Sequence, residues 1–90
     1  MIYEEITNIE QVELIKGLAR MVDQVCPPEP RRGHTDENCQ ERTTYPMSAY
    51  ANAVVLLELY GLVTIVDRVY RVVTFKFNEG ALEWVYGVGR

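Results

Sequence analysis

Residues 48–77 read SAYANAVVLLELYGLVTIVDRVYRVVTFKF, and the spacing of apolar residues changes inside this stretch. Ser48 follows Pro46-Met47 as a candidate helix N-cap, and Gly61 follows Tyr60 where a left-handed residue ends many helices. Between them, at 100° per residue, Ala49, Tyr50, Ala53, Val54, Leu57 and Tyr60 share one broad face, with Ser48, Ala51, Asn52, Val55, Glu58 and Leu59 on the other. A helix whose second face also carries Val55 and Leu59 is not built to meet only water. After Gly61 the period falls to two. Val, Ile, Thr and aromatic residues over 62–67 and 69–77 predict two strands, with the charged pair Asp67-Arg68 as the expected reversal of a β-hairpin.

Working back toward the N-terminus, Ile9, Val12, Ile15, Leu18, Val22 and Val25 recur at helical spacing behind Asn8, a cap with Gln11 three residues on. They predict an amphipathic helix of about 16 residues. Pro27, Pro28 and Pro30 end it and open a proline-rich loop over 26–34 that carries Arg31 and Arg32. Thr35 can cap a short helix over 36–42, with Asp36 and Glu37 in its first turn. Beyond the hairpin, Asn78-Glu79-Gly80 breaks the strand pattern. Ala81 to Tyr86 then form a short helix capped at Asn78 or another strand, the helix being favoured.

Ninety residues with 48% hydrophobic content and six tyrosines make one folded domain of 1–90, too small for a second domain or a large catalytic cleft. The formal charge of -4 excludes a generic polycation. Residues 1–47 hold nine acids and five bases, and residues 48–90 four of each, so the carboxylates lie away from the helix–hairpin half. There is no uninterrupted apolar window long enough to span a bilayer, and the opening MIYEE lacks the basic region and apolar core of a signal peptide. These readings imply a cytoplasmic protein that does not engage a membrane, with Cys26 and Cys39 expected as thiols rather than a disulfide.

The stretch from Thr35 through Phe77 resembles the core of a winged helix-turn-helix domain of the kind found in small bacterial and archaeal transcription regulators. Residues 48–54, SAYANAV, resemble the start of that family's recognition helix. Residues 56–63, LLELYGLV, resemble its passage into the wing, and Asp67-Arg68 followed by Tyr70-Arg71-Val72 resembles the wing itself. The resemblance implies an α+β winged helix-turn-helix fold: three N-terminal helices, a hairpin wing and a short C-terminal helix or strand. It further implies a homodimeric regulator of transcription that places its third helix in the major groove of double-stranded DNA. Ser48, Tyr50 and Asn52 would then face the groove, while Arg68 and Arg71 of the wing, supported by Arg31 and Arg32, would neutralise phosphate.

The same helix departs from a groove reader. Ala51, Val55, Glu58 and Leu59 stand where such regulators place Lys, Arg or Gln, and phosphate repels Glu58. Val55 and Leu59, with Trp84 or Tyr86, instead suit an apolar protein interface, so the alternative is a protein–protein interaction module, cellular or viral, that binds no DNA.

No catalytic function is expected. The sequence lacks a phosphate-cradling glycine loop, a paired-histidine metal helix and a serine in a nucleophile elbow. Cys26, His34, Asp36 and Cys39 carry metal-ligand chemistry, but one histidine and no two-cysteine knuckle leave neither metal nor cofactor expected.

Overall fold

The computed structural model describes residues 2–28, 40–44, 48–70 and 72–87. A 3-10 turn, Tyr3–Glu5, precedes helix α1, Ile9–Val25. The Asn8 side chain accepts a hydrogen bond from the Gln11 backbone N–H at 3.0 Å, as the capping pattern implied. The buried stripe of α1 is Ile15, Ala19 and Val22, continued by the buried Cys26, while Leu18 and Val25 pack beside it. Ile9, expected on that face, is 76% exposed, because the first turn runs past the end of the core.

The sheet has the order β1-β3-β2, all antiparallel, with β1 Arg42–Thr43, β2 Val63–Val69 and β3 Val72–Phe77. Arg42 pairs with Phe75 and Thr43 with Thr74, so the chain at Arg42 is strand rather than the end of a helix over 36–42. Gln40 and Glu41 are not helical either, and 36–39 lie outside the described residues. Thr44 prolongs the pairing: its backbone N–H donates to the Val73 carbonyl at 2.9 Å, and its hydroxyl accepts from the Val73 N–H at 2.9 Å.

The hairpin reverses later than expected. Asp67 pairs with Thr74, Arg68 with Val73 and Val69 with Val72, which carries the reversal on to Tyr70. Burial sets this register. Val63 lies opposite Phe77 and Ile65 opposite Phe75, and a bulge between Ile65 and Asp67 takes up the out-of-phase Val66. The residue that opens a tight hairpin reversal favours positive φ, and Tyr70 has φ 55°. A left-handed non-glycine residue costs about 1–2 kcal/mol, less for asparagine. Because the Tyr70 side chain is 98% exposed, Tyr70→Asn is expected to stabilise the protein by about 0.5–1 kcal/mol, read as a higher urea midpoint.

Helix α2, Ser48–Leu59, ends as the sequence predicted. Gly61 has φ 78°, its N–H donates to the Glu58 carbonyl, and the Leu62 N–H donates to the Leu57 carbonyl. Asn78 ties this turn to the end of β3. Its backbone N–H donates to the Leu62 carbonyl at 2.9 Å and its side-chain amide to the Gly61 carbonyl at 2.7 Å, while its side-chain oxygen accepts from the Thr64 hydroxyl. The expected helix cap at Asn78 is therefore replaced by Gly80, φ 83°, in front of helix α3, Ala81–Tyr86. Ala81 and Val85 of α3 are buried, and the Trp84 ring rests on Tyr3 at a centroid distance of 4.7 Å.

Among the described residues, three helices and a three-stranded antiparallel sheet, with β2–β3 as the wing, give an α+β, winged-helix-like architecture. One cluster of buried side chains, centred on Val22, Val54, Leu57, Leu62 and Phe75, joins the helices to the sheet. No helix among the described residues is long and apolar enough to cross a membrane.

Candidate interaction surface on helix α2

Helix α2 is apolar nearly all round, yet it buries only one side. Ala51, Ala53, Val54 and Leu57 are buried against the core, whereas Ala49, Asn52, Leu56, Glu58 and Leu59 are exposed and Tyr50 and Val55 are half-buried. Ala49 and Ala51 thus exchange the sides expected for them. The inward arc runs from Ala53 through Leu57 and Val54 to Ala51, because the sheet as well as α1 packs on this helix. Leu59 is 65% exposed and Leu56 40%. Leu56 was missed by the sequence reading, although it falls four residues after Asn52 and three before Leu59, on one stripe with both.

Of the residues proposed to touch DNA, Tyr50 is half-buried, and Asn52 is exposed in the middle of the α2 stripe. Arg68 is exposed on β2, and its backbone N–H donates to the Asp67 carboxylate at 2.8 Å. Ser48 is the first residue of α2, but its side chain, together with Arg31, Arg32 and Arg71, lies outside the described residues. The outward side of α2 carries no base.

Trp84 and Tyr86 are placed on α3 by contacts with α1 and the 3-10 turn. Trp84 is half-buried between Tyr3 and the Lys16 ammonium, which sits 4.8 Å from its ring centroid. The Tyr86 hydroxyl donates to the Asp23 carboxylate at 2.6 Å. Asp23 in turn meets Arg42, whose guanidinium NH1 donates to the Asp23 carboxylate and, at 3.1 Å each, to the carbonyls of Asp23 and Cys26. One arginine on β1 therefore satisfies two of the carbonyls at the C-terminal end of α1.

The end of α2 is bordered by acid. The Tyr3 N–H donates to the Tyr60 carbonyl at 2.7 Å, and the Gln11 side-chain amide donates to the Tyr60 hydroxyl at 2.8 Å. These bonds set the 3-10 turn and the start of α1 beside the last turn of α2. Glu4 and Glu5 are exposed there, as is Glu58 on α2 itself. Burial, followed by the charges of Glu4 and Glu83, pushes the Tyr3 phenol upward.

Two other groups titrate above their ordinary values. Burial raises the Cys26 thiol, partly offset by Arg42, and Tyr86 is raised chiefly by its hydrogen bond to Asp23. In all three the neutral form is favoured by folding, so their contribution is intact below the unfolded pKa and is lost as pH rises through the folded one. Urea unfolding is expected to show a stability loss starting near pH ~8.5 with Cys26 and steepening above about 10 with the two phenols. In Cys26→Ala the first phase disappears and the second remains. A profile flat to pH ~11 contradicts the assignment.

Cys26 is a buried free thiol; Cys39 and His34 lie outside the described residues, and among those described no group of three or more His, Cys, Asp and Glu could hold a metal ion. A cavity of about 180 Å³ opens between the ends of β1 and β3 and the start of α3, lined by Gln40, Arg42, Phe77, Leu82 and Glu83 among others. No family model, curated protein or solved structure matches the chain. The class defined by fold and surface is a small winged-helix-like α+β domain with an open apolar helix face.

Proposed function

We propose that this is a protein-interaction module in which the face of α2 that a DNA-binding relative would turn to the groove docks an apolar protein surface. The observation that carries this reading is the exposure of Leu56 and Leu59 on a helix face that has Glu58 beside it and no base. A duplex offers that face phosphate and polar base edges. Leucine gains little there, and a carboxylate is repelled. Removal of apolar surface from water, at roughly 25 cal/mol per Å², rewards a protein contact instead.

A second reading, double-stranded DNA binding by a homodimeric regulator, is favoured by the exposed Arg68 on the wing. Titration into labelled mixed-sequence duplex separates the two. The docking reading expects no saturable binding up to tens of micromolar at roughly 50 mM salt, in wild type or Arg68→Ala. Saturable binding that weakens steeply by roughly 200 mM salt and is lost in Arg68→Ala overturns it in favour of DNA.

A further inference from the structure

The exposed residues Ala49, Asn52, Leu56 and Leu59 follow one another by three, four and three positions. This is the spacing at which one helix lies along another, alternate apolar residues entering the gaps between side chains of the partner. All four are exposed, so the seam is open along α2. Ile2, 51% exposed, extends the apolar surface at its end, where its side chain lies beside Gly61.

Where the 3-10 turn and the start of α1 border the last turn of α2, the described residues carry charge of one sign. Residues 2–15 and 48–61 contain five carboxylates and no lysine, arginine or histidine. Hydrogen bonds from Tyr3 and Gln11 to Tyr60 hold these two segments together. Lys16, the next base along α1, has its ammonium over the Trp84 ring, on the side of α3. Glu4, Glu5 and Glu58 are exposed and are not neutralised by any ion pair found among the described residues.

We propose that the outward face of α2 and the adjoining 3-10 turn receive a cationic amphipathic helix of another protein. Its apolar stripe lies on Leu56, Leu59 and Ile2, and its lysines or arginines face Glu4, Glu5 and Glu58. The proposal deepens the docking function above and rests on it. Opposite charge on the partner speeds encounter and fixes its orientation, while the leucines supply the apolar burial. A second copy of this chain presents the same acidic border and is disfavoured in that role by repulsion.

The test uses three labelled peptides of about 18 residues, long enough to be helical when bound. The first has a leucine stripe at helical spacing with lysine elsewhere, the second has the same stripe with glutamate elsewhere, and the third has lysine and glutamine with no leucine. Fluorescence anisotropy with the full chain is expected to give a Kd on the order of 10 µM for the first and at least tenfold weaker binding for the other two. Leu56→Gln/Leu59→Gln is expected to remove binding. Glu5→Gln/Glu58→Gln weakens it about tenfold and flattens its salt dependence, whereas Asp67→Asn on the wing changes it less than about twofold. Circular dichroism confirms that each variant is folded.

Equal binding of the lysine and glutamate peptides, both lost in the leucine variant, overturns the cationic partner and leaves the docking face standing. Binding of the leucine-free lysine peptide as tight as the first shows charge attraction alone and overturns the helix seam. Absence of binding to all three overturns the proposal, while the duplex titration independently decides the docking reading. Concentration-dependent dimerisation abolished by Leu56→Gln/Leu59→Gln assigns the face to a second copy and also overturns it.

Discussion

Replacing Arg42 by methionine is expected to lower the folding free energy by about 3 kcal/mol, although the new side chain nearly fills the same volume. Arg42 is 4% exposed and stacks its guanidinium on the Phe77 ring, 4.9 Å from the centroid. Its NH1 group serves the Asp23 carboxylate and two carbonyls at the end of α1. Methionine preserves the apolar packing but leaves those three acceptors without this donor. Breaking a fully buried pair costs roughly 3–5 kcal/mol, and the lower end applies because the Asp23 side chain is 22% exposed and keeps its bond from Tyr86. Arg42 Nε, buried with no partner among the described residues, already offsets part of the gain. Urea unfolding of Arg42→Met, Asp23→Asn and the double variant should give a coupling of at least about 1 kcal/mol between the two positions. A loss under about 1 kcal/mol for Arg42→Met shows that the pair does not hold α1 to the sheet.

The second large effect is expected at the centre of the sheet. Phe75 is fully buried on β3, the middle strand, paired with Arg42 on one side and Ile65 on the other, and its ring meets Phe77 edge-on at 5.9 Å. Truncation to alanine removes apolar contacts and leaves a cavity that strands on both sides prevent from closing. The expected cost is about 4 kcal/mol, a large share of the roughly 5–15 kcal/mol typical of a domain. Phe75→Leu, which keeps most of the volume, is expected to cost about 1.5 kcal/mol. Both are read from urea midpoints by circular dichroism. A Phe75→Ala variant within about 1 kcal/mol of wild type places the core elsewhere.

The parts of this fold that were legible in the sequence are those fixed by local chemistry. Asn8 marks the start of α1, and Gly61 ends α2 because the turn requires a positive φ. The strands show their period of two, and α3 follows the break at Gly80. What the sequence hid depends on pairing between distant segments. A strand of two residues, Arg42–Thr43, has no period to detect, so Arg42 read as the end of a polar helix. The reversal was placed at Asp67-Arg68 because charge and polarity favour it there. The register of Val63 and Ile65 against the two phenylalanines carries it on to Tyr70, despite that residue's unfavourable φ. Asn78 read as a cap because a cap is the nearest use for its amide, whereas the structure spends that amide on Gly61.

The candidate surface was half legible. Val55 and Leu59 stood out as too apolar for a solvated face, but Leu56 did not, since a sorting into two faces obscures a stripe at three- and four-residue spacing. Trp84 and Tyr86 read as interface candidates because they lie in an apolar C-terminal segment. Their contacts are to Tyr3, Lys16 and Asp23, a long way off in sequence.

In the docking reading Leu56 and Leu59 serve a bound partner rather than the fold. Urea unfolding of Leu56→Gln/Leu59→Gln tests it most directly, because glutamine matches leucine closely in helix propensity and differs mainly in polarity. The folding free energy is expected to stay within about 1 kcal/mol of wild type. A loss of about 3 kcal/mol or more shows that both leucines belong to the core, and contradicts it.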